Sequence, residues 1–229
     1  MLGLPDGITA CLFDLDGVLT KTAVIHARAW KEMFDAYLRE QGDPRPFEQR
    51  DYDAYVDGKP RAAGVRDFLA SRGIHLDEAE VKRLGDRKNE LVLELIRTQG
   101  VEAYAGSVSY LEAARDAGLR RAVVSSSHNC RDVLRAAGIE HLLEERVDGI
   151  VAEQLHCKGK PEPDTFLEGA RRLGVRPEQA TVFEDALAGV EAGRAGRFGF
   201  VVGVDRVGQR DALLDHGATV VVADLAELL

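Results

Sequence analysis

Two carboxylates stand two residues apart at the end of the first apolar run of the chain. The run ITACLF is followed directly by Asp14, and then by Asp16 and Gly17. In an extended segment, side chains two residues apart point to the same face, so both carboxylates can act on one substrate. One could attack an electrophile while the other moves a proton. The same DxDG segment could also be an ordinary turn, in which Asp makes local hydrogen bonds.

Three further polar sets follow later in the chain, each at or near the end of an apolar run or before a helical pattern. They are Ser125, Ser126, Ser127 and Asn129 in VVSSSHN, Lys158 and Lys160 in CKGKPEPD, and Glu184 and Asp185 in TVFED. Hydroxyl and N–H groups at a strand-to-helix turn can hold phosphate oxygens. A lysine can neutralise a phosphate, and paired carboxylates supply the oxygen ligands that Mg²⁺ prefers.

Each set also has an ordinary structural explanation. A serine can cap the helix that begins near Asn129, and Asp185 can cap the helix that follows it. Lys160 can be a solvated loop lysine. The combination favours the chemical interpretation. Carboxylates, hydroxyls, a lysine and a second pair of carboxylates follow one another along one chain, which is harder to obtain by chance than any one of these sets.

The apolar runs predict the element that brings these sets together. Besides ITACLF, runs near residues 120, 180, 200 and 218 predict buried strands, and helical patterns that carry or precede a glycine separate them. Strands that alternate with helices predict an α/β fold with a doubly wound, Rossmann-like parallel sheet. In such sheets ligands bind beyond the carboxyl ends of the strands.

Residues 22–99 follow a different pattern, with helical periodicity throughout and no convincing strand. A helical block of this size after the first strand predicts a small all-helical cap domain. The predicted domains are therefore a catalytic core of residues 1–21 and 100–229 and a cap of residues 22–99.

Composition limits the partners. The net charge of -9 argues against a broad nucleic-acid surface, which needs clustered Lys and Arg, but a small phosphorylated ligand needs only a few local cations. Three cysteines without metal-ligand spacing predict a reduced, cytoplasmic setting. The N-terminal segment lacks the pattern of a signal peptide, and no apolar run has the length that spans a membrane.

Taken together, these motifs resemble the haloacid dehalogenase superfamily of phosphotransferases over essentially the whole chain. The early helical insert is similar to the cap of the beta-phosphoglucomutase family. The matching positions in and before this insert are Thr22, His26, Trp30, Gly58, Arg61 and Lys88.

The resemblance implies a role for each residue. Asp14 is the nucleophile that forms an aspartyl-phosphate, and Asp16 is the general acid and base. One Mg²⁺ is held by Asp14, the backbone carbonyl of Asp16, and Asp185, with support from Glu184. The residues implied to bind substrate or phosphate are His26, Gly58, Arg61, Lys88, Ser125, Ser126, Ser127, Asn129 and Lys160. Arg61 is expected to clamp the phosphate that is not transferred.

The implied activity is a Mg²⁺-dependent phosphosugar mutase that interconverts beta-glucose 1-phosphate and glucose 6-phosphate through a bisphosphate. Its partner is a small phosphorylated sugar, with no nucleic acid and no membrane, and a monomer is expected. A sugar-phosphate phosphatase shares every core residue and is the main alternative. A phosphonate hydrolase would use a cap lysine, for which Lys59 or Lys88 is a candidate. A non-catalytic binding module has no need of a nucleophile and a base together.

Two positions depart from the family pattern. Lys21 stands where an acidic residue is usual, and Asp57 stands where a lysine commonly precedes the cap-loop glycine. Lys59 is a candidate to replace that lysine. These departures bear on the sugar preference rather than on the phosphoryl chemistry.

Overall fold

The centre of the molecule is a six-stranded sheet, seen in a computed structural model that describes residues 2–229. The strands are β1 (Ala10–Phe13), β2 (Arg120–Val124), β3 (Glu145–Val147), β4 (Ala180–Glu184), β5 (Phe200–Val204) and β6 (Val220–Val222). Their order is β3-β2-β1-β4-β5-β6, and every neighbouring pair is parallel. The prediction of a doubly wound, Rossmann-like parallel sheet is confirmed.

Helices account for most of the remaining chain. Those inserted after β1 are α1 (Ala23–Glu40), α2 (Gln49–Asp51), α3 (Arg61–Ser71) and α4 (Glu78–Gln99), and α2 continues as a π-helical turn over Tyr52–Val56. Those around the sheet are α5 (Ala105–Asp116), α6 (Cys130–Ala136), α7 (Gly149–Gln154), α8 (Asp164–Leu173), α9 (Leu187–Ala195) and α10 (Arg210–His216). Within residues 2–229, none of these helices combines the length and apolar character needed to cross a membrane.

The prediction of five strands missed β3. This strand has only three residues, and Glu145 and Arg146 are partly exposed at the edge of the sheet. An edge strand pairs on one side only, so it does not need the continuous apolar run by which buried strands are recognised. The short helix α7 directly after it was missed as well.

Alternate residues of each strand face opposite layers of helices. Phe13, Val123 and Phe183 pack on the side covered by α5 and α6, and the rings of Phe13 and Phe183 stack with centroids 4.5 Å apart. Leu12 and Val182 pack on the other side, against α8 and α9. Because both faces of the sheet are buried, its strands are apolar throughout, and their polar residues come at the ends.

The inserted helices bury a hydrophobic core of their own. Aromatic rings pack at its centre. The rings of Trp30 and Phe34 stack with centroids 5.1 Å apart, and the ring centroids of Phe34 and Phe68 lie 4.4 Å apart. Because it has a core of its own, this all-helical cap can keep its shape independently of its contacts with the sheet. The predicted boundaries at residues 22 and 99 stay a prediction.

The two segments that connect the cap to the core run side by side. The backbone N–H of Lys21 donates to the carbonyl of Glu102 at 2.9 Å, and that of Tyr104 donates to the carbonyl of Leu19 at 3.0 Å. The side chains of Lys21 and Glu102 form an ion pair at 2.5 Å. The lysine that departs from the family pattern therefore lies in the hinge, away from the cavity described below.

Candidate active site

The sheet brings the polar sets together because β1 lies between β2 and β4. Asp14 follows β1, Ser125 follows β2, and Glu184 ends β4, so the three lie at one edge of the sheet. Backbone hydrogen bonds hold these ends in register: the N–H of Asp14 donates to the carbonyl of Phe183 at 2.9 Å, and that of Ser125 to Val147 at 2.9 Å.

Lys160 is buried among the carboxylates of this edge, with 2% of its surface exposed. Its ammonium group donates to Asp14, pairs with Glu184 at 2.5 Å and reaches the carbonyl of Val124 at 3.3 Å. Burial alone would lower the pKa of Lys160, but Asp14 and Glu184 outweigh it and raise that pKa. Lys160 therefore stays protonated, and the interpretation as a solvated loop lysine is wrong; Lys158 is the exposed lysine.

Three carboxylates form a compact cluster beside Lys160. One oxygen from each of Asp14, Glu184 and Asp185 lies within 4.8 Å of the others. Burial raises the pKa of Asp14 and of Asp185 well above the usual range, and the neighbouring carboxylates add to the effect. A single lysine cannot neutralise three buried carboxylates, whereas a divalent cation with oxygen ligands fits this donor set.

Glycines make room for two of these carboxylates. A Cβ atom at Gly17 would lie 1.7 Å from an oxygen of Asp185, and one at Gly189 would lie 1.8 Å from an oxygen of Glu184. Gly17 also has a φ of 86°, in the left-handed region that favours glycine. Helix α9 begins at Leu187 without a side-chain cap, so the interpretation of Asp185 as its N-cap is wrong.

The second carboxylate of the DxDG segment has a different set of neighbours. Asp16 accepts a hydrogen bond from Thr22, and its carboxylate lies 3.3 Å from Nε2 of His26. Burial would raise the pKa of Asp16, but His26, Thr22 and the charge of Lys88 outweigh it and lower that pKa to about 2. Asp16 is therefore ionised in this arrangement. Its side chain lies outside the three-carboxylate cluster, so its predicted metal contact concerns the backbone carbonyl alone.

Lys88 reaches this chain of contacts from helix α4. Its Nζ lies 2.7 Å from Nδ1 of His26 and 4.8 Å from the ring centroid of Trp30. Burial and the charge of Arg61 lower the pKa of Lys88 to about 7, and burial and Lys88 lower that of His26. Lys88 is 6% exposed, so the alternative of a solvated helix face is wrong. With Nδ1 facing Lys88, a neutral His26 directs its Nε2–H toward Asp16.

Arg61 connects the cap to the core through an asparagine that the sequence prediction missed. Its guanidinium donates to the carbonyl of Gly85 at 3.3 Å and to Oδ1 of Asn89 at 3.0 Å. The same Oδ1 accepts a hydrogen bond from Asn129 at 2.8 Å. The available signal was the position of Asn89, directly after Lys88 in DRKN.

The three serines lie at different depths. Ser125 is 2% exposed and accepts a hydrogen bond from the N–H of Ser127 at 3.1 Å. Ser126 points to the cap and donates to the carbonyl of Gly58 at 2.9 Å. Ser127 accepts from the N–H of Asn129 at 3.1 Å, while helix α6 begins at the next residue without a side-chain cap.

A single cavity between the cap and the core contains most of the predicted site. The predicted residues that line it are Asp14, Asp16, His26, Gly58, Arg61, Lys88, Ser126, Ser127, Asn129 and Asp185. Ser125, Lys160 and Glu184 lie behind this lining. Lining residues without a predicted binding role include Trp30, Tyr52, Val56, Asn89 and Ala186. Four of these five come from the cap, where helical patterns give few signs of which face meets the ligand.

Asp57, the departure in the cap loop, also lines this cavity. Burial raises its pKa to about 7, and the charge of Glu184 adds to the effect. Lys59 lines the cavity too, but its Nζ pairs with Asp67 at 2.7 Å. Lys59 is thus engaged within the cap in this arrangement.

The comparison with protein families agrees with this geometry. Residues 8–197 match the model of the haloacid dehalogenase-like hydrolases. This range includes every residue of the three-carboxylate cluster, the lysine beside it, and the whole cap.

Individual relatives are similar over nearly the whole chain. A beta-phosphoglucomutase of Mycobacterium tuberculosis is 51% identical, and the alignment covers 100% of this chain and 94% of that protein. Hexitol phosphatase A of Escherichia coli is 33% identical, with 80% of this chain and 77% of that protein covered. A crystal structure of beta-phosphoglucomutase from Clostridium difficile superposes with a TM-score of 0.81 at 26% identity, covering 97% of this chain and 93% of that one.

Proposed function

The chain belongs to the haloacid dehalogenase-like hydrolase family, and we propose that it is a phosphosugar mutase that interconverts beta-glucose 1-phosphate and glucose 6-phosphate. The observation that carries this proposal is that cationic groups stand on two opposite sides of one cavity. On the core side Lys160 lies behind the lining, beside Asp14, and on the cap side Arg61 lines the cavity. A bisphosphate has two ends to bind, whereas a simple phosphatase needs only one. The full-length similarity to a beta-phosphoglucomutase supports the same activity.

Phosphoryl transfer starts at Asp14. Its carboxylate attacks phosphorus and forms an aspartyl-phosphate, while the bond from phosphorus to the sugar oxygen breaks. Lys160 and Ser125 stand where they can bind the transferring phosphoryl oxygens. The carboxylates of Asp14 and Asp185, supported by Glu184, would hold Mg²⁺ together with the backbone carbonyl of Asp16. When bound, Mg²⁺ supplies positive charge that offsets the repulsion between a carboxylate and a phosphate dianion.

Asp16 moves the proton in each half of the reaction. In the phosphoenzyme its ionised carboxylate accepts the proton of the sugar's 6-hydroxyl as that oxygen attacks the phosphoryl group, which gives the 1,6-bisphosphate. After the bisphosphate turns over, Asp14 takes the phosphoryl group from the 1-position. Asp16 then returns the proton to the leaving oxygen, and glucose 6-phosphate results. Contacts with Thr22 and His26 hold the carboxylate in place for both steps.

The cap has two tasks in this scheme. Arg61, oriented by Asn89, offers two or more donors to the phosphate that is not being transferred. The closed cap, with Ser126 bonded to the loop carbonyl of Gly58, excludes water that would otherwise hydrolyse the aspartyl-phosphate. Lys88 adds positive charge near Asp16, and His26 adds a hydrogen-bond donor there.

A sugar-phosphate phosphatase is the second candidate, and the similarity to hexitol phosphatase A favours it. It would use Asp14, Asp16, Lys160 and the carboxylate cluster in the same way. The difference would lie in the second half of the reaction, where water rather than a sugar hydroxyl attacks the aspartyl-phosphate.

One coupled assay distinguishes the two. Purified protein is given beta-glucose 1-phosphate, Mg²⁺ and a trace of glucose 1,6-bisphosphate, and glucose 6-phosphate and free phosphate are measured together. A mutase produces glucose 6-phosphate without free phosphate and is stimulated by the bisphosphate. Release of free phosphate in place of glucose 6-phosphate would establish the phosphatase instead.

The setting of the enzyme follows from the same features. A small phosphorylated sugar is the proposed partner. The net charge of -9 supports the proposal that nucleic acid is not a partner. We propose a cytoplasmic monomer, since a cap that opens and closes works without a second subunit. The cap is proposed to comprise residues 22–99, and the rest of the chain forms the core.

A further inference from the structure

The loop after β5 contacts both of the loops that carry the carboxylate cluster. This β5 loop comprises residues 205–209, between β5 and α10. Nε of Arg206 donates to the carbonyl of Gly17 at 2.7 Å, in the DxDG segment that follows β1. Nε2 of Gln209 donates to the carbonyl of Asp185 at 2.9 Å, in the loop that follows β4. One short loop therefore holds the backbone of both ligand-bearing loops at once.

The two loops that it holds lie directly against each other. A Cβ atom at Gly17 would lie 1.7 Å from a carboxylate oxygen of Asp185, so a shift of either loop changes the spacing of the cluster. Both carbonyls lie beyond the ends of their strands, where the hydrogen bonds of the sheet no longer fix the backbone. Repulsion among the buried carboxylates tends to move these loops apart when no cation lies between them.

Arg206 is itself held in place by the segments around it. Its Nη1 donates to the carbonyl of Ala223 at 2.7 Å and lies 3.6 Å from a carboxylate oxygen of Asp224. The central carbon of its guanidinium lies 3.6 Å from the ring centroid of Tyr104, which supports the planar group by stacking. The side chain is 16% exposed. Arg206 is therefore a restrained donor and not a freely rotating surface arginine.

Gln209 is positioned by a tight turn within the β5 loop. Oδ1 of Asp205 accepts hydrogen bonds at 3.2, 2.7 and 2.9 Å from the N–H groups of Val207, Gly208 and Gln209, respectively. Gly208 has a φ of 81°, in the left-handed region that favours glycine. The turn fixes the backbone from which the Gln209 side chain reaches the carbonyl of Asp185.

Gly17 is restrained on both sides of its α-carbon. Its N–H donates to the carbonyl of Thr20 at 2.8 Å, and its carbonyl accepts from Arg206. That N–H belongs to the same peptide group as the carbonyl of Asp16, and the two point in opposite directions in a planar trans peptide. The orientation of the carbonyl that the proposed function assigns to Mg²⁺ is therefore fixed at Gly17.

We propose that Arg206 and Gln209 are positioning residues that hold the loops of Asp14 and Asp185 at the spacing Mg²⁺ needs, before the cation binds. Among the described residues that line the cavity neither is found, so both act through the backbone of the ligand-bearing loops. Mg²⁺ demands a nearly ideal octahedral arrangement, whereas Ca²⁺ accepts variable ligand numbers and longer distances. A fixed spacing therefore favours Mg²⁺ over Ca²⁺. This inference rests on the metal site of the proposed function and is independent of the substrate.

The test is titration calorimetry of Mg²⁺, and separately of Ca²⁺, into the full-length protein without any phosphate compound. Arg206→Met removes the guanidinium donors and keeps an apolar stem that can pack on Tyr104. Gln209→Ala removes the second donor. Arg210→Met is the matched control, because Arg210 is an exposed arginine beside the same loop and its loss changes the net charge equally.

Arg206→Met and Gln209→Ala should each weaken Mg²⁺ binding by about 10- to 100-fold, as for other groups that orient metal ligands. Ca²⁺ binding should fall by a clearly smaller factor, because Ca²⁺ tolerates a looser site. Loss of a positive charge alone would strengthen cation binding, and Arg210→Met measures that effect. Arg206→Lys keeps the charge and a donor and should recover part of the Mg²⁺ affinity.

Other outcomes overturn the inference in distinguishable ways. Unchanged Mg²⁺ affinity in Arg206→Met and Gln209→Ala would show that the ligand-bearing loops are held by other contacts. Equal losses for Mg²⁺ and Ca²⁺ would show that the β5 loop does not set the spacing. If the wild type binds no Mg²⁺, the proposed metal site is wrong and this inference fails with it.

The folded state of each variant is checked on the same preparations. Scanning calorimetry without cations gives the melting temperature, and only protein that is folded at the titration temperature is compared. If Arg206→Met has melted at that temperature, Gln209→Ala and Arg206→Lys decide the question. Both should then lower the Mg²⁺ affinity more than the Ca²⁺ affinity, and wild-type affinities in both would overturn the inference.

Discussion

The two walls of the cavity are built in different ways. On the core wall, Asp14, Lys160 and Glu184 are buried, touch one another, and sit at the ends of a strand or beside it. On the cap wall, Arg61 and Asp57 are only partly buried, and their contacts with the core run through single hydrogen bonds such as that between Asn89 and Asn129. The core wall is therefore held by buried contacts within the core, while the cap wall meets it through a few hydrogen bonds between the two domains.

This difference separates the residues that carry out phosphoryl transfer from those that recognise the rest of the substrate. Groups that take part in bond making need fixed positions and a low dielectric environment, which buried strand ends provide. Groups that recognise the rest of the substrate must move aside to admit it, and a cap with its own hydrophobic core can do so. Changes on the core wall should therefore affect every reaction of the enzyme, and changes on the cap wall only those that use the whole sugar phosphate.

The largest effect is expected for Asp14→Asn. Losing the nucleophile should lower turnover at least about 10⁴-fold and abolish formation of the phosphoenzyme, which labelling with radioactive phosphate would detect. Asp6→Asn, at an exposed carboxylate on the surface, is the matched control. Normal turnover in Asp14→Asn would refute covalent catalysis at this residue.

Asp16→Ala should come next. Loss of the general acid and base should lower turnover by about 10²–10⁴-fold. Binding of Mg²⁺ should survive, because the side chain of Asp16 lies outside the cluster formed by Asp14, Glu184 and Asp185. Kinetics and titration calorimetry on the same preparation check both parts. Loss of Mg²⁺ binding in Asp16→Ala would show that the Asp16 side chain belongs to the metal site.

On the cap wall, Arg61→Ala should lower the mutase activity much more than the hydrolysis of a small phosphate compound. The mutase flux should fall about 10- to 100-fold, the loss expected for hydrogen bonds from a charged donor. Hydrolysis of acetyl phosphate, which has no second phosphate, should change little. Arg66→Ala is the control, since Arg66 is an exposed arginine on the same helix and pairs with Glu78. Equal losses in both assays would show that Arg61 does not bind the phosphate that is not transferred.

The smallest effect concerns the stability of the folded protein. In the folded state the pKa of Lys88 is about 7, and its ordinary value is 10.5. Between these two pH values the unfolded chain binds more protons, so the free energy of unfolding rises with pH across this window. Lys88→Met removes this contribution, and its melting temperature should therefore rise less than that of the wild type between pH 7 and about 9.

The difference should be a few degrees, since about 1 kcal/mol moves the melting temperature by about 2–4 °C at this chain length. Scanning calorimetry at several pH values measures it. Lys82→Met serves as the control, because Lys82 is an exposed lysine on the same helix. Parallel curves for the wild type and Lys88→Met would show that Lys88 keeps its proton in the folded protein.

Much of the core could be predicted from the sequence because its determinants are local. A buried parallel strand needs a continuous apolar run, and its carboxyl end exposes the next polar residues to a common edge. Asp14, Ser125 and Glu184 were therefore expected together before any distance was known. Strand β3 was missed because an edge strand of three residues needs no such run.

The sequence by itself determined the parallel sheet, the helical insert and the carboxylates, hydroxyls and lysine at the strand ends. Only the tertiary structure decided that Lys88 is buried against His26, that Asn89 joins Arg61 to Asn129, and that Asp57 lines the cavity. These contacts span tens of residues, and the one between Asn89 and Asn129 crosses from the cap to the core. Helical periodicity reports which face of a helix is apolar, but not which polar side chain will face a second domain across a cavity.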